Sequence, residues 1–314
     1  MSTYTRGSTV RGPCLVQLGS DIFRTKGDVR VNLGLETFAL DSSETPNLDE
    51  RLSGIPVTIE FEPVGIVTAG LVAAMYAPLE AVIGTSLFGT SDVACTITPL
   101  TGVDKITFHC AAITKMPDII VSATKTTLGS MTITAILKNT TAWTDAAARL
   151  TVATVGAPTP EEIDPATIPT NPARISWGES APWTTLQSRE GVTVSFDMQT
   201  ENDVTDEHGL VDMVLSGIVA RATFSPMGCS VAQAITALAI QGTGVVRGAS
   251  LASRAQELVI ESALAGGLRC TIPQAALKTL PLVYGRTSPR FADIELVSLP
   301  TDGVVAEVEI VAAE

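Results

Sequence analysis

Side chains able to do chemistry are sparse in this chain, and their spacing does not bring them together. Only two histidines occur, His109 and His208. A metal centre needs several His, Cys, Asp or Glu ligands, and a general base needs a partner within hydrogen-bond reach. His208 stands beside Asp206 and Glu207 in an acidic stretch with Glu201, Asp203 and Asp212. That stretch lacks the alternate-position acids, central glycine and closing glutamate of a calcium loop. GTGVVRG at Gly242 to Gly248 has the glycines of a phosphate-cradling loop, but it lacks the GK[ST] ending and follows a helical pattern instead of preceding one, so a tight turn is expected. Cys14, Cys95, Cys110, Cys229 and Cys270 are an odd set without CxxC spacing, which speaks against a disulfide framework or zinc site and fits a reducing compartment. Trp177 and Trp183 flank WGESAPW. Aromatic platforms bind sugars or bases, yet anchoring the linker onto the second domain is the simpler role. The expectation is a protein that is not an enzyme, with no catalytic residues, no cofactor-binding residues and no metal ligands.

The elements that hold these side chains come twice. Asp28 to Gly65 aligns without a gap on Gly191 to Gly228, 163 residues on, with 12 of 38 positions identical. Chance gives roughly 2 or 3. LSGI at Leu52 to Ile55 returns at Leu215 to Ile218, FEPVG at Phe61 to Gly65 returns as FSPMG at Phe224 to Gly228, and Val29 and Val31 return as Val192 and Val194. A period this long suits two domains of one fold better than a solenoid. Between the copies, GAPTPEEIDPATIPTNP carries five prolines and reads as an extended spacer. The expected organisation is a domain over 1–155, a linker over 156–173 and a second domain over 174–314.

The 314 residues suffice for two cores. With 45% hydrophobic, 17% charged and 4% aromatic residues, much of the surface is neutral and suited to being covered by other copies. The net charge of -13 divides as 14 acidic and 11 basic side chains over 1–157, giving -3, and 19 and 9 over 158–314, giving -10. Without a Lys or Arg run, tight binding to phosphate backbones is not expected. The opening MSTYTRGSTVRG has no signal-peptide core, and no apolar stretch has the length of a membrane span, so the chain is expected to be soluble where it is made.

Within each copy, strand signals dominate. Val29, Val31, Leu33 and Leu35 alternate with polar residues, as do Val192, Val194, Phe196 and Met198. The return strands alternate Ile55, Val57, Ile59, Phe61 and Ile218, Ala220, Ala222, Phe224. Polar excursions at Ala39 to Arg51 and Asn202 to Val214 interrupt both pairs and are predicted to be loops of matched length. Thr68 and Ser230 are predicted helix caps. Short β-type segments follow over 105–110, 118–123 and 131–137, and over 268–272, 282–285 and 293–299. The fold class is therefore mainly β, two tandem sandwich or barrel domains, each with one flanking helix and a long β-hairpin loop.

A long strand, an extended loop, the LSGI motif, a return strand closing in FxPxG and then a helix resemble the major tail tube protein of long-tailed (siphovirus-like) bacteriophages. The resemblance spans Gly12 to about Leu137 and Trp177 to about Leu299. It implies a structural virion protein that assembles into stacked rings around a channel for double-stranded DNA. Its partners would be other copies of itself, the tape-measure protein, the tail terminator or head-tail connector and the tail-tip proteins, with DNA passing non-specifically and no membrane. It would be assembled in the host cytoplasm and end in the virion tail. With two tube domains per chain, three chains would give a pseudo-sixfold ring. Candidate lumen-facing residues are then Asn32, Glu36, Glu60, Glu62, Ser195, Asp197, Gln199, Thr223 and Ser225, with Arg30 and Arg221 departing from an acidic wall. Candidate inter-ring residues are Asp41, Glu44, Asp49, Glu50, Arg51, Asp203, Asp206, Glu207, His208 and Asp212. Two alternatives stay open: a ring of the DNA sliding-clamp kind, which needs basic helices, and a tandem β-sandwich surface or carbohydrate-binding protein, for which the two tryptophans would speak.

Overall fold

Alternation of apolar and polar residues gives each strand one face to bury, and antiparallel ladders satisfy its backbone while that face meets another layer. The computed structural model describes residues 14–34, 36–40, 49–54, 56–64, 68–89, 93–123, 128–136, 150–158, 172–179, 183–205, 209–227, 229–237, 250–262, 268–285, 289–300 and 308–312. It is mainly β with antiparallel pairing, and the described residues include two short α-helices.

The first half contains β1 (Cys14–Leu18), β2 (Asp21–Thr25), β3 (Arg30–Leu33), β4 (Glu36–Leu40), β5 (Asp49–Gly54), β6 (Pro56–Phe61) and β7 (Pro63–Val64). After α1 (Ala69–Met75) follow β8 (Cys95–Pro99), β9 (Lys105–Phe108), β10 (Ala111–Lys115), β11 (Ile119–Val121), β12 (Met131–Ile136) and β13 (Leu150–Ala153). One sheet has the order β13-β9-β8-β1-β2-β7, a second β10-β12-β6-β3, and β4 and β5 form a ribbon. β6 leads into β7 across Glu62, and β9 into β10 across His109 and Cys110, two of the places where the chain passes between the sheets. Thr68 caps α1 by accepting from the Leu71 N–H, and Val72 and Met75 are buried.

The second half contains β14 (Ala173–Trp177), β15 (Leu186–Thr205), β16 (Gly209–Met227), α2 (Val231–Ala237), β17 (Gln256–Ser262) and β18 (Leu268–Thr279). It ends with β19 (Leu282–Tyr284), β20 (Pro289–Phe291), β21 (Ile294–Ser298) and β22 (Glu309–Ala312). β15, β14, β17, β18, β21 and β16 pair in that order, and β16 pairs back onto β15, which closes a barrel. A reciprocal capping box starts α2: Ser230 Oγ accepts from the Gln233 N–H, and Gln233 Oε1 accepts from the Ser230 N–H.

Pairing registers recur at the offset seen in the sequence. Arg24 faces Val64 as Gln187 faces Met227; Val31 faces Ile59 as Val194 faces Ala222; Ile133 faces Ile59 as Leu296 faces Ala222. The repeated LSGI is a β-bulge. Glu36 faces Gly54 and Thr37 faces Leu52, leaving Ser53 over; Gln199 faces Gly217 and Thr200 faces Leu215, leaving Ser216 over.

The excursions differ from the expectation of loops. β4 and β5 pair as far as Leu40 and Asp49, and β15 and β16 as far as Thr205 and Gly209, so the ends of the first excursion and most of the second are ladder. Ladder bonds come from the main chain, so a strand pair can extend without apolar alternation in its side chains. Residues 41–48 and 206–208 lie outside the described residues. Most buried apolar side chains among the described residues form one large cluster that runs through both halves, and Phe88, Cys110, Ala112 and Ile136 form a smaller one.

Candidate assembly seam and polar face

The two halves meet through main-chain pairing. β11 adds to the edge of β15, with Ile119 opposite Val194, Ile120 opposite Thr193 and Val121 opposite Val192. The Ser122 hydroxyl donates to the Glu190 carbonyl at 3.2 Å. Gly191 lies at φ +100°, and a Cβ there would stand 2.6 Å from both the Val121 carbonyl oxygen and Ser122 Cβ, so this approach requires glycine. The opposite edge of the ribbon is covered too. The Gly84 N–H donates to the Leu215 carbonyl at 2.8 Å, the Leu215 N–H to Thr85 at 3.0 Å, and the Leu87 N–H to Met213 at 2.9 Å. The Ser86 hydroxyl donates to Asp212 Oδ1 at 2.6 Å and accepts from the N–H groups of Phe88 and Gly89. Asp212 Oδ1 also accepts from the Met213 N–H. The first half thus clamps the β15–β16 ribbon along both edges.

Tyr76 locks the seam from the core side. Its ring centroid lies 5.4 Å from that of Phe196, and its hydroxyl donates to the Pro117 carbonyl at 2.9 Å. Burial pushes the phenol well above its ordinary range. α1 lies against β22 near the same place. Different surfaces meet at this seam, so it is heterologous, the type of contact that propagates from unit to unit.

A polar face runs across the second-half sheet. Asp197 on β15, Arg221 on β16, Glu295 on β21 and Lys278 on β18 alternate in sign: Arg221 Nη1 lies 2.8 Å from Glu295 Oε1, Arg221 Nη2 3.8 Å from Asp197 Oδ2, and Lys278 Nζ 3.3 Å from Glu295 Oε1. The Arg221 guanidinium, with Lys278 beside it, holds the Glu295 carboxyl below its ordinary range. The Ser225 hydroxyl donates to Asp293 at 2.6 Å. Neither a family model nor a curated protein matches the chain.

Most of the predicted lumen residues share this polar phase. Asn32, Glu60, Glu62, Asp197 and Gln199 are exposed, and Ser195, Thr223 and Ser225 are half-buried. Glu62 pairs with Lys26 at 3.4 Å. Glu36 is on β4, with its side chain outside the described residues. Arg221, which disturbed an acidic wall in the sequence, is paired within the sheet. Among the predicted inter-ring residues, Asp203 is exposed opposite Asp212, whereas Asp212 is engaged inside the chain by Ser86. Asp49, Glu50 and Arg51 lie on β5 with side chains outside the described residues, as Asp41, Glu44, Asp206, Glu207 and His208 lie outside them altogether.

Tyr76, Ser86, Ser122 and Gly191 are the seam residues that sequence reasoning missed. One signal was present: Gly191 stands where the first copy has Asp28. The segment Gly84 to Gly89 turns at φ +85° and +65° at its ends and pairs with β16, while GTGVVRG lies outside the described residues. Trp177 and Trp183 are buried edge to face at 5.2 Å, with the Trp177 indole donating to the Ala275 carbonyl, so they offer no platform to a sugar. Cys95 and Cys270 are buried thiols pushed up to about 12. No helix among the described residues is long and apolar enough to cross a membrane.

Proposed function

We propose that this chain is a structural subunit that assembles head to tail into rings stacked as a tube, of the kind that forms a bacteriophage tail and passes double-stranded DNA. The observation that carries the reading is the heterologous seam, in which the first half seats β11 and α1 on the β15–β16 ribbon and β22 of the second. A tandem chain of this kind holds one seam by covalent tether, which raises the effective concentration of the next unit. Three chains would supply six units. The polar phase of the ribbons, acidic or with its charges paired apart from the exposed Arg30, suits a wall to which phosphate adheres weakly.

The test is electron microscopy with mass measurement of the purified full chain. Hollow tubes or rings of three chains are expected. A monomer that persists at high concentration, or rings of six full chains, would overturn the proposal.

A further inference from the structure

We propose that β19 of one copy of this chain pairs antiparallel with β3 of the next copy, with Leu282 opposite Val31, Val283 opposite Arg30 and Tyr284 opposite Val29. This deepens, and rests on, the head-to-tail reading above. β19 is the counterpart of β11: Ile119 bridges Leu128 as Leu282 faces Phe291, each 163 residues on. β3 is likewise the counterpart of the β15 segment that receives β11. Within one chain β11 fills the β15 edge, whereas among the described residues β19 pairs only with β20 and β3 only with β6.

Exposure follows that difference. Phe196 is 5% exposed and its counterpart Leu33 57%; Val121 is 5% exposed and its counterpart Tyr284 77%. Equivalent positions are covered where the neighbour is in the chain and bare where it is not. At the helix the difference is smaller: α1 lies against β22, whose Val311 is 40% exposed, while β13, which occupies the corresponding edge position beside β9, leaves Val152 at the equivalent register 61% exposed. The steric detail is complementary as well. The close approach at the internal seam joins Ser122 to Gly191; its counterpart joins Gly285 to Asp28, so one partner is again glycine, now on the other side. Two open edges on a free chain are an aggregation hazard unless another copy completes them.

Cysteine pairing tests the register. In a Cys14→Ser, Cys229→Ser background, Arg30→Cys and Val283→Cys stand opposite each other as Thr193 and Ile120 do, and both positions are exposed. The full chain carrying both, treated with a short bis-maleimide, is expected to give covalent dimers and trimers, by about tenfold or more over either single variant. A mixture of the two single variants is expected to stop at dimers. Rings or tubes that form without the cross-link overturn the register and leave head-to-tail assembly standing. Failure of the background protein to assemble at all, with no cross-link, overturns both. Cross-linking of the Arg30→Cys variant to itself overturns the heterologous polarity.

Discussion

Replacing Gly191 with alanine isolates the internal seam. A left-handed backbone costs an L-residue about 1–2 kcal/mol, and strained positions reach about 3. Gly191 at φ +100° lies beyond the usual left-handed well, and its new Cβ would meet the Val121 oxygen and Ser122 Cβ at 2.6 Å. β11 must then retreat and lose part of its three-residue pairing with β15. Together these predict about 2–4 kcal/mol of destabilisation. With a urea dependence of about 3 kcal/mol per molar, the unfolding midpoint should fall by roughly 1 M. Adding Ser122→Gly removes one of the two overlaps, so a double-mutant cycle should return a coupling of about 1 kcal/mol. Asp28, the equivalent position in the first half, is not at positive φ, and Asp28→Ala serves as the control. A Gly191→Ala unfolding free energy within about 0.5 kcal/mol of the parent would refute the claim that backbone approach at this glycine holds the halves together.

Burial holds Cys95 and Cys270 near 12 against 9.0 unfolded, so above about pH 9 the unfolded chain releases protons that the folded one keeps. Stability should be full below pH 9 and fall across pH 9 to 12 by on the order of 4 kcal/mol per thiol, with Tyr76 adding in the same direction; urea midpoints independent of pH through that window would refute it. Asp212→Ala strands the Ser86 hydroxyl and the Met213 N–H and should cost about 1–3 kcal/mol, with a cycle against Ser86→Ala showing coupling. Replacing Glu36, Glu60 and Glu62 with lysine should shift monomer stability by about 0.5 kcal/mol or a little more, since Lys26 loses its partner, yet make a tube lumen attract phosphate. Normal DNA passage through tubes of that variant would remove these residues from the wall.

The half-buried strands were legible because alternation is forced wherever a ladder has one wet face. Val57 and Ile59 carried that signal unaided and are fully buried, whereas Leu33 shares the phase but is 57% exposed on an edge strand. The ribbon tips read as loops because apolar alternation fades there, although main-chain pairing, which asks for no particular side chain, continues past the Ser53 and Ser216 bulges. The seam was hidden for another reason. β11 is three residues, Ile-Ile-Val, and its partner lies more than seventy positions on, so no local pattern joins them. Arg221 was puzzling for the same cause: Glu295 and Lys278, which neutralise and neighbour it, are distant in sequence and adjacent only across the barrel. Of the candidate site, the polar phase could be read from the chain, but which charges cancel could not.

Gly285 offers the reverse of the experiment at Gly191. Gly191 is needed within one chain, so its replacement should weaken the monomer. Gly285 is exposed, and its substitution by valine should leave the monomer within about 0.5 kcal/mol. If the β19–β3 pairing forms as the internal seam does, however, the added side chain meets Asp28 where Ser122 meets Gly191, at an approach that tolerates only one Cβ. A penalty of about 2 kcal/mol per seam raises the concentration needed for assembly by roughly thirtyfold. Sedimentation over a concentration series, with circular dichroism as the fold control, reads both quantities. Asp28→Gly should restore assembly of the Gly285→Val chain, because it returns the glycine to the side it occupies inside the chain. A folded Gly285→Val protein that assembles at the parental concentration would show that the second seam is not built on the first.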